Sequence, residues 1–138
     1  MFEAEKDKYL MKHGFGATRL KAVLFDMDGV LFDSMPNHAY SWSHAMTQFG
    51  LHITPEEAYM HEGRTGGGTI DLLAQRDWGR RATEEEKQTI YKAKSDVFSR
   101  CPEAPRMPGA YELLKKVKAD GFTPMVVTGD RKSTRLNS

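Results

Sequence analysis

The stretch from Lys21 to Ser34, KAVLFDMDGVLFDS, constrains the fold of this chain more than any other. Four apolar residues, AVLF, lead directly into Asp26, and Asp28 follows two positions later. A short run rich in branched and aromatic side chains predicts a strand that is buried on both faces. Because open parallel sheets bind their ligands at the carboxyl ends of the strands, the two aspartates stand where a site is expected.

The position of the two aspartates after the strand has two possible explanations, an ordinary turn and a functional site. Asp and Gly are common after strands, and Gly29 would let the backbone turn tightly, so both aspartates fit an ordinary turn. Two carboxylates this close in sequence are costly, however, unless a cation or hydrogen bonds compensate their charge. The apolar lead-in and the continuation DGVLFDS agree with each other, and we therefore favour a site.

The segment DMDGVLFDS resembles the first motif of the haloacid dehalogenase superfamily of phosphotransferases. It most resembles the branch that contains β-phosphoglucomutase and its phosphatase relatives. The resemblance implies that Asp26 is the nucleophile that becomes an aspartyl phosphate, and that Asp28 is the general acid and base. It also implies Mg²⁺ as cofactor, with Asp26 and the backbone carbonyl of Asp28 as the metal ligands, since a carboxylate attacks a phosphate only where a cation screens their charges.

Composition and charge indicate one globular, cytoplasmic protein. The chain has 138 residues, 39% of them hydrophobic, and a net charge of +1. This length supports a hydrophobic core, and the near-neutral charge gives no indication of nucleic acid or membrane as partner. No apolar run is long enough to span a bilayer or to act as a signal peptide. The single cysteine, Cys101, excludes an intrachain disulfide and fits a reducing compartment; we expect a monomer that acts on a small phosphorylated substrate.

Helix and strand signals predict an α/β fold. Thr54 and Thr83 are predicted N-caps, each followed by acidic residues that favour a helix start. Residues 110–119 form a predicted amphipathic helix, and residues 122–127 a second buried strand. A strand, a helical insert, a helix and a strand together make a parallel crossover unit.

The family resemblance implies a partial Rossmann-like core with an inserted helical cap domain. We assign residues 21–35 and 107–129 to the core and residues 36–106 to the cap. Residues 1–20 are either a frayed helix up to about Lys12 or, as we expect, a disordered leader, because termini that are not tied down are usually disordered.

The last segment, residues 130–138, reads DRKSTRLNS and has no apolar periodicity. It resembles the translation of a common sequencing-library adapter, so we expect a non-native tail; the alternative is a genuine basic, polar tail. The third motif of the family, a lysine, and its fourth, an acidic metal-binding loop, would both follow Gly129. The chain as given is therefore expected to be an inactive fragment with open apolar sheet faces.

The second family motif matches Thr128 and Gly129. In the family, a hydroxyl at a strand end and the following amide bind a phosphate oxygen. A lone threonine at a strand end is usually structural, so this assignment depends on Asp26.

Four cap residues are assigned to the substrate by resemblance: His38, Glu62, Arg64 and Lys94. His38 is either directed to the cleft or a surface residue at a helix start. Arg64 lies in a glycine-rich loop, residues 61–69, that is expected to open a helix at Ile70. This arginine either grips a second phosphate with two hydrogen bonds or is a solvated charge in a flexible hairpin.

The cap sequence HEGRTGG and the helix around Lys94 resemble a bacterial member of this branch that hydrolyses inorganic pyrophosphate. In that protein, the glutamate that matches Glu62 can reach the metal, and the lysine that matches Lys94 meets the leaving phosphate. The alternative places Lys92 and Lys94 on an exposed helix face, where most lysines lie. Pyrophosphate is therefore the leading substrate, with β-phosphoglucomutase or sugar phosphatase activity as the alternative and a non-catalytic remnant as an alternative of another class.

Overall fold

The computed structural model describes residues 3–16 and 19–129, which form two compact units. One unit contains the described residues up to Met27 and from Pro108 onward, and the other is Asp28–Met107. The elements in chain order are α1 (Glu3–His13), β1 (Ala22–Phe25), α2 (Met35–Met46), a 3₁₀ turn (Thr47–Phe49), α3 (Pro55–Met60), α4 (Gly66–Asp77), α5 (Glu84–Phe98), α6 (Ala110–Ala119) and β2 (Thr123–Val126). The predicted domain limits at 36 and 106 stay predictions.

In the first unit, β1 and β2 form a parallel pair, in register from Ala22 opposite Thr123 to Phe25 opposite Val126. Helix α6 precedes β2 and buries Val117 completely. The predicted strands, their parallel pairing and the helix between them are confirmed, and so is the α/β fold.

The prediction that β1 is buried on both faces is wrong. Phe25 is buried, but Leu24 is 63% exposed because successive side chains of a strand point to opposite faces and one face here lacks a covering layer. The prediction that β2 is buried is wrong as well, since Met125 and Val126 are exposed. The expected open apolar sheet face is thus present among the described residues.

The N-terminal segment contains α1, and none of its residues is buried. Residues 3–13, for which the sequence predicts either a frayed helix or a disordered leader, are thus helical and surface-exposed. The predicted non-native tail, residues 130–138, lies outside the described residues. Within residues 3–16 and 19–129, no helix is both long and apolar enough to cross a bilayer.

The second unit is helical, and α2 lies at its centre, packed against both α3 and α5. Helix α4 also packs against α5. These contacts bury a common apolar core, whose fully buried large side chains are Met46, Leu51, Ile70, Leu73 and Ile90.

The predicted helix starts at Thr54 and Thr83 are confirmed by their hydrogen bonds. Thr54 Oγ1 accepts from the Glu57 N–H at 3.1 Å, and Thr83 Oγ1 accepts from the Glu86 N–H at 3.2 Å. Glu86 Oε2 in turn accepts from the Thr83 N–H at 2.8 Å. This reciprocal pair is a capping box, which satisfies two backbone donors at the start of α5.

The prediction that the glycine-rich stretch is a loop up to Ile70 is wrong over its second half. Helix α4 already begins at Gly66, and Thr65 is its N-cap, with Oγ1 accepting from the Gly68 N–H at 3.2 Å. The cap satisfies an orphan N–H group and so offsets the low helix propensity of the glycines. The loop is therefore shorter than predicted.

Candidate active-site residues

In the first unit, parallel pairing brings Asp26 and Thr128 to the same end of the sheet. Asp26 directly follows β1, and Thr128 follows β2 by two positions. The Val127 N–H donates to the Phe25 carbonyl at 2.8 Å, so the pairing of the two chains extends to this edge. Both Asp26 and Thr128 are exposed.

The Asp26 carboxylate is open to ligands. Its Oδ1 atom accepts a hydrogen bond from the Met27 N–H at 2.8 Å, and the residue is exposed at the carboxyl end of β1. Gly129, which follows Thr128, is also exposed. These three residues have the chemistry of a phosphate and cation site, and their individual roles stay predictions.

In the second unit, Asp28 is fixed by a tight turn and by the residue that precedes α2. Gly29 has a φ of +70°, which favours glycine, and its N–H donates to the Phe32 carbonyl at 2.8 Å. Ser34 Oγ donates to Asp28 Oδ1 at 2.5 Å. Ser34 stands at the N-cap of α2 but its side chain makes no capping bond, so its hydroxyl holds the carboxylate instead of the helix end.

His38 lies between Asp28 and Lys94. Its Nε2 atom is 3.4 Å from Asp28 Oδ1, and its Nδ1 atom is 2.8 Å from Lys94 Nζ. A lysine ammonium has donors only, so towards it Nδ1 must accept, and the ring proton then resides on Nε2, facing the carboxylate. The structure therefore brings two predicted site residues, Asp28 and Lys94, to opposite sides of a third.

Lys94 is buried, with 5% of its surface exposed. Its Nζ atom lies 4.8 Å from the centroid of the Phe98 ring and 5.6 Å from that of Trp42. A buried ammonium loses the favourable free energy of its hydration, and cation–π attraction to aromatic faces offsets part of that loss. The exposed-face alternative is thus wrong for Lys94. It is right for Lys92, which is 75% exposed.

Glu62 and Arg64 lie in the turn between α3 and α4, and both are exposed. Their backbone N–H groups donate to the Tyr59 carbonyl at 3.2 Å and to the His61 carbonyl at 3.1 Å. Between them, Gly63 has a φ of +80°. This turn presents both side chains to solvent, and their assignment to the substrate stays a prediction.

Sequence reasoning missed two residues that contact the Asp28–His38–Lys94 group of the second unit. Ser34 ends the motif segment DMDGVLFDS but receives no role from it, and Phe98 receives no role from the sequence either. Phe98 follows Lys94 by four positions on α5, a spacing that puts two helix residues on one face. This spacing is the sequence signal that could have found it.

The donor atoms present suit the cofactor that the family resemblance implies. Mg²⁺ takes oxygen ligands and commonly uses one or two carboxylates, completing its shell with water and substrate phosphate. Asp26, exposed at the carboxyl end of β1, supplies such a carboxylate. Across residues 3–16 and 19–129, no group of three or more His, Cys, Asp or Glu side chains is arranged to hold a metal ion.

Comparison with known proteins gives a consistent family. The profile of the haloacid dehalogenase-like hydrolases matches residues 20–136. A phosphoglycolate phosphatase of Haemophilus influenzae is 31% identical over 119 residues, which are 80% of this chain and 52% of that protein.

Solved structures give the same result. A candidate beta-phosphoglucomutase from Bacteroides vulgatus is 57% identical, with a TM-score of 0.86, over 99% of this chain and 56% of that one. A predicted phosphoglycolate phosphatase from Haemophilus somnus is 26% identical, with a TM-score of 0.63, over 82% of this chain and 53% of that one.

Two further points follow from these matches. The chain spans about half the length of the curated relatives it matches. The family match runs to residue 136 and so includes most of the predicted non-native tail. The comparisons therefore give the adapter interpretation of that tail no support.

Proposed function

The chain belongs to the haloacid dehalogenase-like hydrolases, and we propose from this premise that it serves Mg²⁺-dependent phosphate transfer with Asp26 as nucleophile. The observation that carries the proposal is the position of Asp26, exposed and directly after β1 in a parallel pair. A nucleophilic carboxylate must be accessible to phosphorus, and the carboxyl end of a parallel sheet is where α/β enzymes bind ligands.

In the proposed reaction, an Asp26 carboxylate oxygen attacks phosphorus while the bond from phosphorus to the leaving oxygen breaks. Asp28, in its acid form, gives its proton to that leaving oxygen. Asp28 then takes a proton from water, whose oxygen attacks the aspartyl phosphate, so that inorganic phosphate leaves and Asp26 is restored. Bound Mg²⁺ would screen the negative charges of carboxylate and phosphate. The Thr128 hydroxyl and the Gly129 amide would hold phosphate oxygens.

The contacts of Asp28 support its proposed role as acid and base. Ser34 Oγ, at 2.5 Å, and His38 Nε2, at 3.4 Å, both meet Oδ1. Holding one oxygen in this way leaves the other available for proton transfer, and a fixed orientation is what efficient proton transfer needs.

We propose a small phosphorylated compound as substrate. The names of the relatives favour organic phosphate esters, namely phosphoglycolate and the substrate of beta-phosphoglucomutase. Pyrophosphate, which the sequence favours, appears in none of these names. It stays a candidate because the second unit offers a buried cation, Lys94, and an exposed one, Arg64, both of which suit a substrate that carries charge on two phosphates.

The test is phosphate release by the full chain with Mg²⁺ from phosphoglycolate, β-glucose 1-phosphate and pyrophosphate. Asp26→Asn is expected to abolish release, and Asp33→Asn is the matched control, because Asp33 belongs to the same motif, is exposed and contacts Pro105 through its backbone. An Asp26→Asn variant with wild-type turnover would contradict the proposal. No turnover by the wild-type chain would agree with the sequence-based expectation of an inactive fragment, and it would favour the competing proposal of a non-catalytic remnant.

The substrate is decided by comparing the three compounds and then by a Glu62→Ala variant. If pyrophosphate is the substrate, its turnover is expected to fall selectively in this variant. Unchanged pyrophosphate turnover would contradict the proposed role of Glu62, which is to reach the metal from the turn between α3 and α4.

A further inference from the structure

We infer that Phe98 is a positioning residue, whose ring holds the His38–Lys94 pair in place and through it orients the Asp28 carboxyl group. The inference rests on the proposed role of Asp28 as acid and base. It concerns a residue that neither the sequence motif nor the family match assigns to the site.

Both members of the pair lie against the same aromatic ring. The His38 and Phe98 rings stack with centroids 4.3 Å apart and an angle of 30° between their planes. Lys94 Nζ lies 4.8 Å from the centroid of Phe98 and 2.8 Å from His38 Nδ1. Three groups are therefore in mutual contact, and Phe98 is the one that cannot itself exchange a proton.

The ring is placed for this task by helix geometry. Lys94 and Phe98 are four positions apart on α5, so their side chains lie on one face. His38 is on α2, which packs against α5. The contact of two helices thus brings an imidazole and an ammonium onto one ring.

The energy of the contact favours an aromatic ring over an aliphatic side chain. A cation over a ring face is attracted more strongly at a desolvated site than at an exposed one, and Lys94 has 5% of its surface exposed. An aliphatic side chain has no negative ring face and gives the ammonium no such attraction. Without the Phe98 ring, the ammonium retains the more distant Trp42 ring, at 5.6 Å, and is expected to move towards water. This movement removes the donor to His38 Nδ1 and frees the imidazole ring that meets Asp28.

Ordinary core packing explains Phe98 less well. The preceding residue, Val97, is a member of the buried apolar core of the unit, whereas Phe98 is only partly buried. Val97→Ala therefore serves as a control, because it removes apolar packing and leaves the Phe98 ring in place.

The experiment follows the side-chain signals of Lys94 and His38 by ¹⁵N NMR in the full chain. The Lys94 signal is assigned by its loss in Lys94→Met. In the wild type we expect an upfield-shifted ammonium signal that exchanges slowly with water. Phe98→Leu is expected to reduce that shift and to move the His38 ring signals, whereas Phe98→Tyr is expected to retain both. Val97→Ala is expected to lower the melting temperature with both signals retained.

Turnover supplies the second readout. With an active wild type, Phe98→Leu is expected to lower kcat by about tenfold or more with KM little changed, and Phe98→Tyr to restore it. Wild-type NMR signals or wild-type kcat in Phe98→Leu would overturn the inference. If the signals respond as expected but the wild-type chain shows no turnover, the placement of the pair by Phe98 is supported and only the proposed function fails.

Discussion

Lys94 Nζ on α5 lies 2.8 Å from His38 Nδ1 on α2, and this contact joins the two helices. Two positions earlier on α5, Lys92 forms an ion pair with Asp96 at 2.6 Å and is 75% exposed. The same residue type therefore serves two purposes on one helix, and the two lysines make a natural matched pair for experiment.

Replacing Lys94 by methionine is expected to cost activity rather than stability. Methionine keeps the length of the side chain and fits the apolar surroundings, so the free energy of unfolding is expected to change by less than about 1.5 kcal/mol. Phosphate release is expected to fall by about 10²-fold. Lys92→Met is expected to change stability by about 0.5 kcal/mol or less, with turnover unchanged. Equal effects of the two substitutions on turnover would contradict the assignment of Lys94 to the active site.

Gly66 and Gly67 are expected to respond differently to alanine. A methyl group on Gly66 would overlap the Tyr91 ring, whereas one on Gly67 would meet Lys87 Cδ at an ordinary 3.7 Å. Gly67→Ala should gain helix propensity, and Gly66→Ala should be less stable than it by about 1 kcal/mol or more. Urea unfolding of the two variants measures this difference.

The double variant Gly66→Ala with Tyr91→Ala provides the control for that prediction. Removing the ring removes the overlap, so the effect of Gly66→Ala is expected to become smaller in the Tyr91→Ala background. Additive effects of the two substitutions would show that the ring is not the cause.

The capping box at the start of α5 is expected to contribute measurably to stability. Thr83→Ala removes the acceptor for the Glu86 N–H and is expected to cost about 1 kcal/mol. Thr89→Ala is the control, since Thr89 is exposed inside the same helix and its hydroxyl bonds the Glu85 carbonyl. That control is expected to be neutral or slightly stabilising. Thermal unfolding of both variants measures whether Thr83→Ala lowers the melting temperature more than Thr89→Ala does.

Asp77 is expected to make the free energy of unfolding depend on pH below about pH 4. The hydrogen bond from Arg76, with further help from the His52 N–H, lowers the pKa of this carboxyl from 3.8 to about 2. Because the folded-state pKa lies below the unfolded one, the unfolded chain binds more protons in this window. The contribution of Asp77 is therefore complete above the unfolded pKa and is lost as the pH falls towards 2.

Urea midpoints at several pH values test this contribution. Between pH 5 and pH 2 the wild type is expected to lose more stability than Asp77→Asn, whose side chain does not titrate. Parallel curves for the two proteins would contradict the prediction.

Local rules predicted the secondary structure well. Thr54 and Thr83 begin helices because a threonine hydroxyl satisfies a backbone N–H within three residues, an interaction that the sequence itself contains. The parallel pairing of β1 and β2 was predictable because two strands joined through a helix have few ways to meet. The early start of α4 at Gly66 was missed because glycine propensity was weighed above the cap at Thr65.

The sequence by itself determined the motif, the helix starts, the parallel strand pair and the family, because these depend on neighbours in the chain and on residue spacing. Tertiary structure alone decided that Lys94 is buried and Lys92 is exposed. Residues two apart on a helix point to different sides, and only the packing of α2 against α5 selects the side that loses water. The open face of β1 at Leu24 has the same kind of cause, since what covers a strand lies far from it in sequence.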